Sequence, residues 1–555
     1  MQIQFQIGIA IDSKVFSQYD YVNDAGGRRT SVKHSGSAFE TGPAFNKYEY
    51  NSRSEVTVGD RFWGANLNDT SDPVTGQGFA YAYDNIGNRT GASRDNEETA
   101  YTANNLNQYS QRTIADLIDI IGSAETNSTV TVNNLTVNRH GKYWHKGLGV
   151  TNDSASVYQP VKVVGVYNPP GTNDPDIVTT ETGHVFVAQS PEQFSYDDDG
   201  NLLSDGRFNY SWDGENRLVA AETLTSLPAS VPRVKVEFAY DYMSRRVGKQ
   251  VSNIVSGQWT VVSGHSFVYD SWNLVSEICN QQSEITTNLY VHGLDLSGSL
   301  GGAGGIGGLL AAKLGTNSVC YTYDANGNVS ELLAADCSLA AHYEYSPFGE
   351  TIVATGPLAS ENKFRFSTKF MDDNTSLLYY GYRYYSPTLG RWLSRDPIGE
   401  SGGYHLYAFT KNNPLNHVDP YGLLSVGDII SIIPILGTWY NWFVDPKGTH
   451  ASDYLPLDIS AEKCCGPGGF LAAELNCAKG VQLKAASYAT TYQGLTTAHA
   501  LTDAFAALLG KSPIIAISLI VDVFLDLDIT LDKLAEMGLA SKEAIKGCKC
   551  SLYVK

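Results

Sequence analysis

The sequence predicts a mainly β protein: a spiralling Tyr-Asp-repeat β-sheet with an inserted β-sandwich-like module and a separate, mostly α-helical C-terminal domain. Three observations carry this expectation. Units of the form Tyr-Asp-x-x-Gly-Asn/Arg recur between Tyr21 and Tyr343. The chain holds 34 Tyr and 53 Gly against 4 Met, which suits short strands and tight turns better than a helical bundle. After Leu423 the repeats stop and helical apolar patterns replace them. At 555 residues and 60.3 kDa the chain exceeds what one core usually serves, so several units are expected.

The repeats come first. YDNIGNRT runs from Tyr83, YDDDGNLL from Tyr196 and YDANGNVSEL from Tyr323, with variants from Tyr21, Tyr210, Tyr240 and Tyr269 and half-repeats from Tyr48 and Tyr101. Tyr, Val and Leu alternate through each strand, and Asp-x-x-Gly or Asn-Gly makes the hairpin turn, because Gly and Asn tolerate positive φ. Such units cannot bury a face alone and must stack on neighbours. This assigns residues 1–110 and 191–360 to the repeat array.

Residues 111–190 interrupt it. TIADLIDIIGSA reads as a short helix, whereas TVTVNNLTVNRHGKYWHKGLGV and SASVYQPVKVVGVY alternate like sandwich strands. His140, Lys142, Tyr143, Trp144 and His145 could form a sugar-binding patch; hairpin polar residues around one packed Trp account for them more simply. Gly302 to Gly307 satisfies G-x-G-x-x-G, with Leu309 to Leu314 as a helix-like sequel. No βαβ unit surrounds it, so a close backbone turn is the better reading than a dinucleotide site.

The block from Arg383 to Leu423, RYYSPTLGRWLSRDPIGESGGYHLYAFTKNNPLNHVDPYGL, carries two Asp-Pro steps, Asp396-Pro397 and Asp419-Pro420. Two carboxylates brought together do not both ionise cheaply, so one can activate a water while the other supplies a proton. Arg395 could bias such a pair. The simpler alternative makes both aspartates turn residues, each capping a local N–H while proline fixes φ. The tyrosines at 379, 380, 382, 384 and 385 alternate at strand spacing and are expected to plug or line the shell.

This block resembles the core signature of RHS-repeat proteins, the YD-repeat polymorphic toxins and their insecticidal-toxin relatives. The resemblance implies a hollow β shell around a guest polypeptide, here the chain's own C-terminal tail. It also implies self-cleavage after the Leu of Asp-Pro-x-Gly-Leu by aspartates at these motif positions. That assigns Asp396 and Asp419 as catalytic, with Arg395 beside them, and Leu423–Leu424 as the scissile bond, and it makes 361–423 the core module with the autoproteolytic motif.

Residues 424–555 would be the released domain. This tail has no Arg, and its ten Lys against thirteen acidic residues leave a net charge of −3. Its two His, His450 and His499, and the lack of an H-x-x-E or H-N-H pattern count against a nuclease. Its apolar runs, Val426 to Val444 and Ile514 to Leu527, each fall short of a clean membrane span. Five cysteines lie here, Cys464, Cys465, Cys477, Cys548 and Cys550, and could pair as disulfides in an oxidising compartment. Adjacent Cys464 and Cys465 are poor co-ligands for one ion, so no metal or other cofactor is expected.

The net charge of −19 and pI near 5.0 argue against non-specific nucleic-acid binding by the shell. No signal peptide is visible in MQIQFQIGIAIDSK, so a secreted or cell-surface destination would need another route, such as a secretion-system partner. An immunity protein is expected beside a toxic tail. The alternative reading is a secreted or surface structural protein that binds a glycan and carries an inert tail.

Overall fold

The structure is a computed structural model that describes residues 4–427, apart from breaks at 12–13, 96, 170–174, 282–283 and 424–425. The proposed helical C-terminal domain, Leu424 and the five tail cysteines therefore lie outside the described residues.

Each repeat turn is built by its aspartate. Asp84 Oδ1 accepts the backbone N–H groups of Ile86 and Asn88 at 3.0 and 2.8 Å, and Oδ2 accepts the Asn88 side chain at 2.9 Å. Asp324 repeats this with Asn326 and Asn328, and Asp241 does so with Met243 and the Arg245 guanidinium. The side chain at the fourth position after Asp thus satisfies the outer carboxylate oxygen, which explains the Asn/Arg preference of the repeat. Gly87, Gly200 and Gly327 take φ of 100°, 84° and 71°, where a Cβ would be strained. The Tyr before the Asp reaches back to an earlier strand: Tyr83 OH donates to the Val56 carbonyl at 2.9 Å and Tyr240 OH to that of Leu218 at 2.5 Å.

Stacked hairpins form two antiparallel sheets of ten and fourteen strands, in which neighbours in space are neighbours in sequence except where Glu192–Gln193 pairs with Tyr109–Arg112. The first strands pack on the last. Ser17 Oγ donates to Glu331 at 2.8 Å, Arg61 pairs with Glu344, the Phe39 ring meets His342 edge-on at 5.0 Å, and Tyr81 meets Phe348 at 4.8 Å. The described repeats therefore curl into a β shell whose beginning touches its end.

The insert is a sandwich of a three-stranded and a four-stranded sheet between Leu117 and Val187. Val130, Val132, Trp144, Leu148 and Val161 share its core. The segment expected as a helix, TIADLIDIIGSA, instead holds the strand Leu117–Ser123, paired with Tyr143–Gly149. A short apolar run fits either state, and here its pairing decides. Leu309–Leu314 is likewise a strand, continuous with the large sheet, rather than the helix that a nucleotide loop would need.

Residues 362–423 fold as a turn-rich block against the repeats. Phe366, Leu378, Tyr380, Tyr385, Trp392 and Phe409 form its core, with the Tyr385 and Phe409 rings 4.0 Å apart. It meets the shell at repeat turns: Tyr407 OH donates to the Gly200 carbonyl and Asn412 Nδ2 to that of Gly87, both at 2.8 Å. Tyr379, Tyr380, Tyr384 and Tyr385 are buried, and Tyr382 is exposed.

Candidate functional site

The two Asp-Pro steps use the same turn as the repeats. Asp419 Oδ1 accepts N–H groups from Tyr421, Gly422 and Leu423 at 3.3, 2.7 and 3.0 Å, and Gly422 has φ 78°. Asp396 Oδ1 accepts from Ile398 at 3.1 Å, its carbonyl accepts from Gly399 at 2.9 Å, and Gly399 has φ 60°. The departure from the repeats lies at the fourth position after Asp. Leu423 has no polar side chain and Glu400 is an acid, so neither supplies the donor that Asn or Arg provides elsewhere.

Both outer oxygens meet one buried cation instead. Arg383 Nη2 lies 2.8 Å from Asp396 Oδ2 and 3.6 Å from Asp419 Oδ2. The same guanidinium donates through Nε to the Gly422 carbonyl and through Nη1 to that of Leu406 at 3.2 Å, and its flat face covers Trp392 at 4.3 Å. A tight turn from Tyr380 to Arg383 brings it there, and the Tyr382 N–H donates to the Tyr421 carbonyl at 3.0 Å. Burial pushes both carboxyls above the usual aspartate range, against the opposing pull of Arg383. Burial also lowers Arg383, against the two aspartates that hold its charge.

Gly402 places Leu423 in this site. A Cβ built there would stand 2.6 Å from Asp396 Oδ2 and 3.1 Å from the Leu423 carbonyl oxygen, so both atoms lie against one bare α-carbon.

Of the residues singled out in the sequence, Asp396, Asp419 and Leu423 converge. Arg395 does not join them: its guanidinium lies against Gly200 and beside Tyr407, and among the described residues Arg383 makes the ion pairs to both carboxylates. No sequence pattern marks Lys369, an isolated lysine between Thr368 and Phe370. Its Nζ donates to the Pro420 carbonyl at 2.6 Å and the Gly304 carbonyl at 2.8 Å. The glycine segment is a backbone cradle: a Cβ on Gly304 would stand 2.0 Å from the Pro420 carbonyl oxygen, and Tyr421 OH donates to the Gly301 carbonyl. The suggested sugar patch is not a platform. Tyr143, Trp144 and His145 are buried, His145 pairs with Asp119 at 2.7 Å, and exposed His140 stacks on Trp63.

A mainly β shell of Tyr-Asp hairpins, closed by a block that gathers two aspartates on one arginine, defines a YD-repeat shell protein. Residues 184–415 match the family model described as Teneurin YD-shell. The chain is 30% identical over 236 residues to the tRNA3(Ser)-specific nuclease WapA of Bacillus spizizenii, covering 42% of this chain and 9% of that relative. It is 27% identical over 258 residues to the double-stranded DNA deaminase toxin A of Burkholderia cenocepacia, covering 43% and 17%. Over 83 residues it is 46% identical to the toxin subunit YenC2 of Yersinia entomophaga, covering 14% and 8%. The chain thus spans less than a fifth of each of these relatives. Among solved structures, TcdB2-TccC3 aligns with 75% of this chain and 21% of its own, at 18% identity and a TM-score of 0.35. Over the matched residues the chain is similar to RHS/YD-repeat, toxin-related proteins. Among the described residues no helix is long and apolar enough to cross a membrane.

Proposed function

We propose that this chain is the shell of a polymorphic toxin that encloses its C-terminal segment and frees it by cutting the Leu423–Leu424 bond. The observation that carries this reading is the joint placement of Asp396, Asp419 and the Leu423 carbonyl around Arg383 and Gly402. Asp419 already accepts three backbone N–H groups, which favours its carboxylate form; Asp396 has one, and its Oδ2 shares the Gly402 surface with the Leu423 oxygen. In the proposed reaction Asp396 delivers a proton toward the Leu423 carbonyl, which shares the Gly402 surface with its Oδ2, while Asp419 takes a proton from the attacking water.

The water oxygen bonds to the Leu423 carbonyl carbon, a tetrahedral centre forms, and the C–N bond to Leu424 breaks as its nitrogen is protonated. One water is consumed, and a carboxylate and an amine result. Substrate and catalyst share one chain, so no binding energy is spent on association. Arg383 steadies the negative charge that the pair retains and replaces Arg395 in that role.

The toxic relatives support a harmful released segment, secreted or displayed at the cell surface, with an immunity protein in the producing cell. The test is N-terminal sequencing of the fragment from the expressed full chain. A fragment beginning at Leu424 supports the reading, and a fragment starting elsewhere, or none, removes it.

A further inference from the structure

Lys369 has no part in the chemistry above, yet it is only 6% exposed and lies directly beneath the Asp419 turn. Its two hydrogen bonds go to neutral carbonyls, those of Pro420 and Gly304, which a neutral donor could satisfy equally well. Burying an ammonium costs several kcal/mol unless an anion compensates it. Two acids face it, Asp419 and Asp295. Asp295 is already committed to the N–H groups of Ala303 and Gly305 and to Ser297. Of the two, Asp419 acts on Lys369 more strongly, and it is the group that must keep a negative charge for the proposed reaction.

We infer that Lys369 is a positioning residue of the cleavage site: its ammonium ties the Pro420 carbonyl to the Gly304 cradle and holds Asp419 ionised, so that cutting requires the charged lysine. This inference rests on the self-cleavage reading. Pro420 follows Asp419 directly, so fixing its carbonyl fixes the plane of the turn that presents Leu423. Gly304 makes the approach possible because it has no side chain where the Pro420 oxygen sits.

The surroundings make the requirement visible as a pH effect. Burial lowers Lys369 to about 8, against the pull of Asp419 and Asp295. Of the other titratable groups facing it, His292 is lowered by burial to about 4 and is neutral near that pH. Tyr380 and Tyr421 are pushed up by burial and keep their protons. Arg383, beyond Asp419, is lowered by burial against the pull of both aspartates, and a guanidinium is not deprotonated in proteins. Loss of the Lys369 proton is therefore the change that alkali makes here.

The experiment is cell-free synthesis of the full chain in buffers from about pH 6.5 to 9.5, following the ratio of cut to uncut product with time. Expected are a wild-type rate that falls as pH rises through about 8, a Lys369→Met chain cut roughly 100-fold more slowly, and a Lys369→Arg chain that is cut without the alkaline fall. Arginine keeps its charge throughout, so this rescue separates charge from packing. Lys369→Met cutting at the wild-type rate, or Lys369→Arg keeping the same alkaline fall, overturns the inference while leaving self-cleavage in place. If Lys369→Met aggregates, the Lys369→Arg profile decides alone. A wild-type chain uncut at every pH removes the cleavage reading and this inference together.

Discussion

Asp396 and Asp419 lie 23 positions apart at the heads of separate Asp-Pro-x-Gly turns, yet both turn their outer carboxylate oxygens to Nη2 of Arg383, at 2.8 and 3.6 Å. In the repeats the same oxygen is taken up locally, by Asn88 beneath Asp84 or by Arg245 beneath Asp241. Replacing that local partner by Leu423 and Glu400 leaves the two Oδ2 atoms to Arg383. The site is thus a pair of repeat turns with one hydrogen bond withheld from each. The bland reading of these aspartates as turn residues holds for Oδ1, and the proposed chemistry concerns Oδ2.

Arg383 should matter to stability before it matters to rate. It is 2% exposed and holds two buried carboxylates and two carbonyls. Removing one partner from such a network typically costs about 3–5 kcal/mol. Arg383→Met is expected to lower the urea midpoint accordingly, whereas Arg395→Met, on a side chain outside the pair, should cost under about 1 kcal/mol. Equal losses in the two variants would contradict the assignment of Arg383.

Gly304→Ala separates backbone strain from crowding. Gly304 has φ 64° and faces the Pro420 carbonyl; Gly298 has φ 74° and faces nothing within 4 Å. Both substitutions carry a left-handed penalty of about 1–2 kcal/mol. The Gly304 variant alone should displace the Asp419 turn, cutting at least about tenfold more slowly in a gel time course. Similar rates in the two variants would mean that the cradle does not position the turn.

The contact between the first and last strands should make stability pH-dependent. Burial opposes the charged form of His342, but its bonds to Glu331 and Glu344 outweigh this and raise it to about 9. A raised folded pKa stabilises fully below the unfolded value of about 6.5 and is lost as pH rises through about 9. Glu344 is also opposed by burial but is held well below its ordinary value by Arg61 and His342. Its contribution is present above about pH 4.5 and is lost in acid. His34, lowered by burial to about 4, is neutral through the alkaline range. Urea titrations from about pH 6 to 10 should show stability falling by a few kcal/mol in wild type and much less in His342→Gln. A flat wild-type profile would contradict this account of the seam.

The repeat turns were legible because they are a local pattern: Asp, Gly and the residue after Gly stand at fixed offsets, and the same offsets mark the Asp396 and Asp419 turns. The arginine was misassigned for the complementary reason. Arg395 is adjacent to Asp396 in sequence, while Arg383 reaches both carboxylates only through the Tyr380–Arg383 turn and its packing on Trp392. Lys369 was invisible, since one lysine at the end of a short turn carries no pattern and its partners are backbone carbonyls 51 and 65 positions away. Leu117–Ser123 shows the limit of short apolar runs, whose state is set by the strand that they meet. Trp144 belongs to the sandwich core and not to an exposed patch, a distinction that only burial can make.

Intact-mass analysis of the full chain beside Asp396→Asn and Asp419→Asn tests the central claim most directly. The account predicts a wild-type fragment of about 14 kDa, the 132 residues after Leu423 out of 555 in 60.3 kDa. It also predicts that both variants stay whole, each remaining folded because Asn preserves the Oδ1 turn bonds. An uncut wild type, or cutting that persists in either variant, would contradict it.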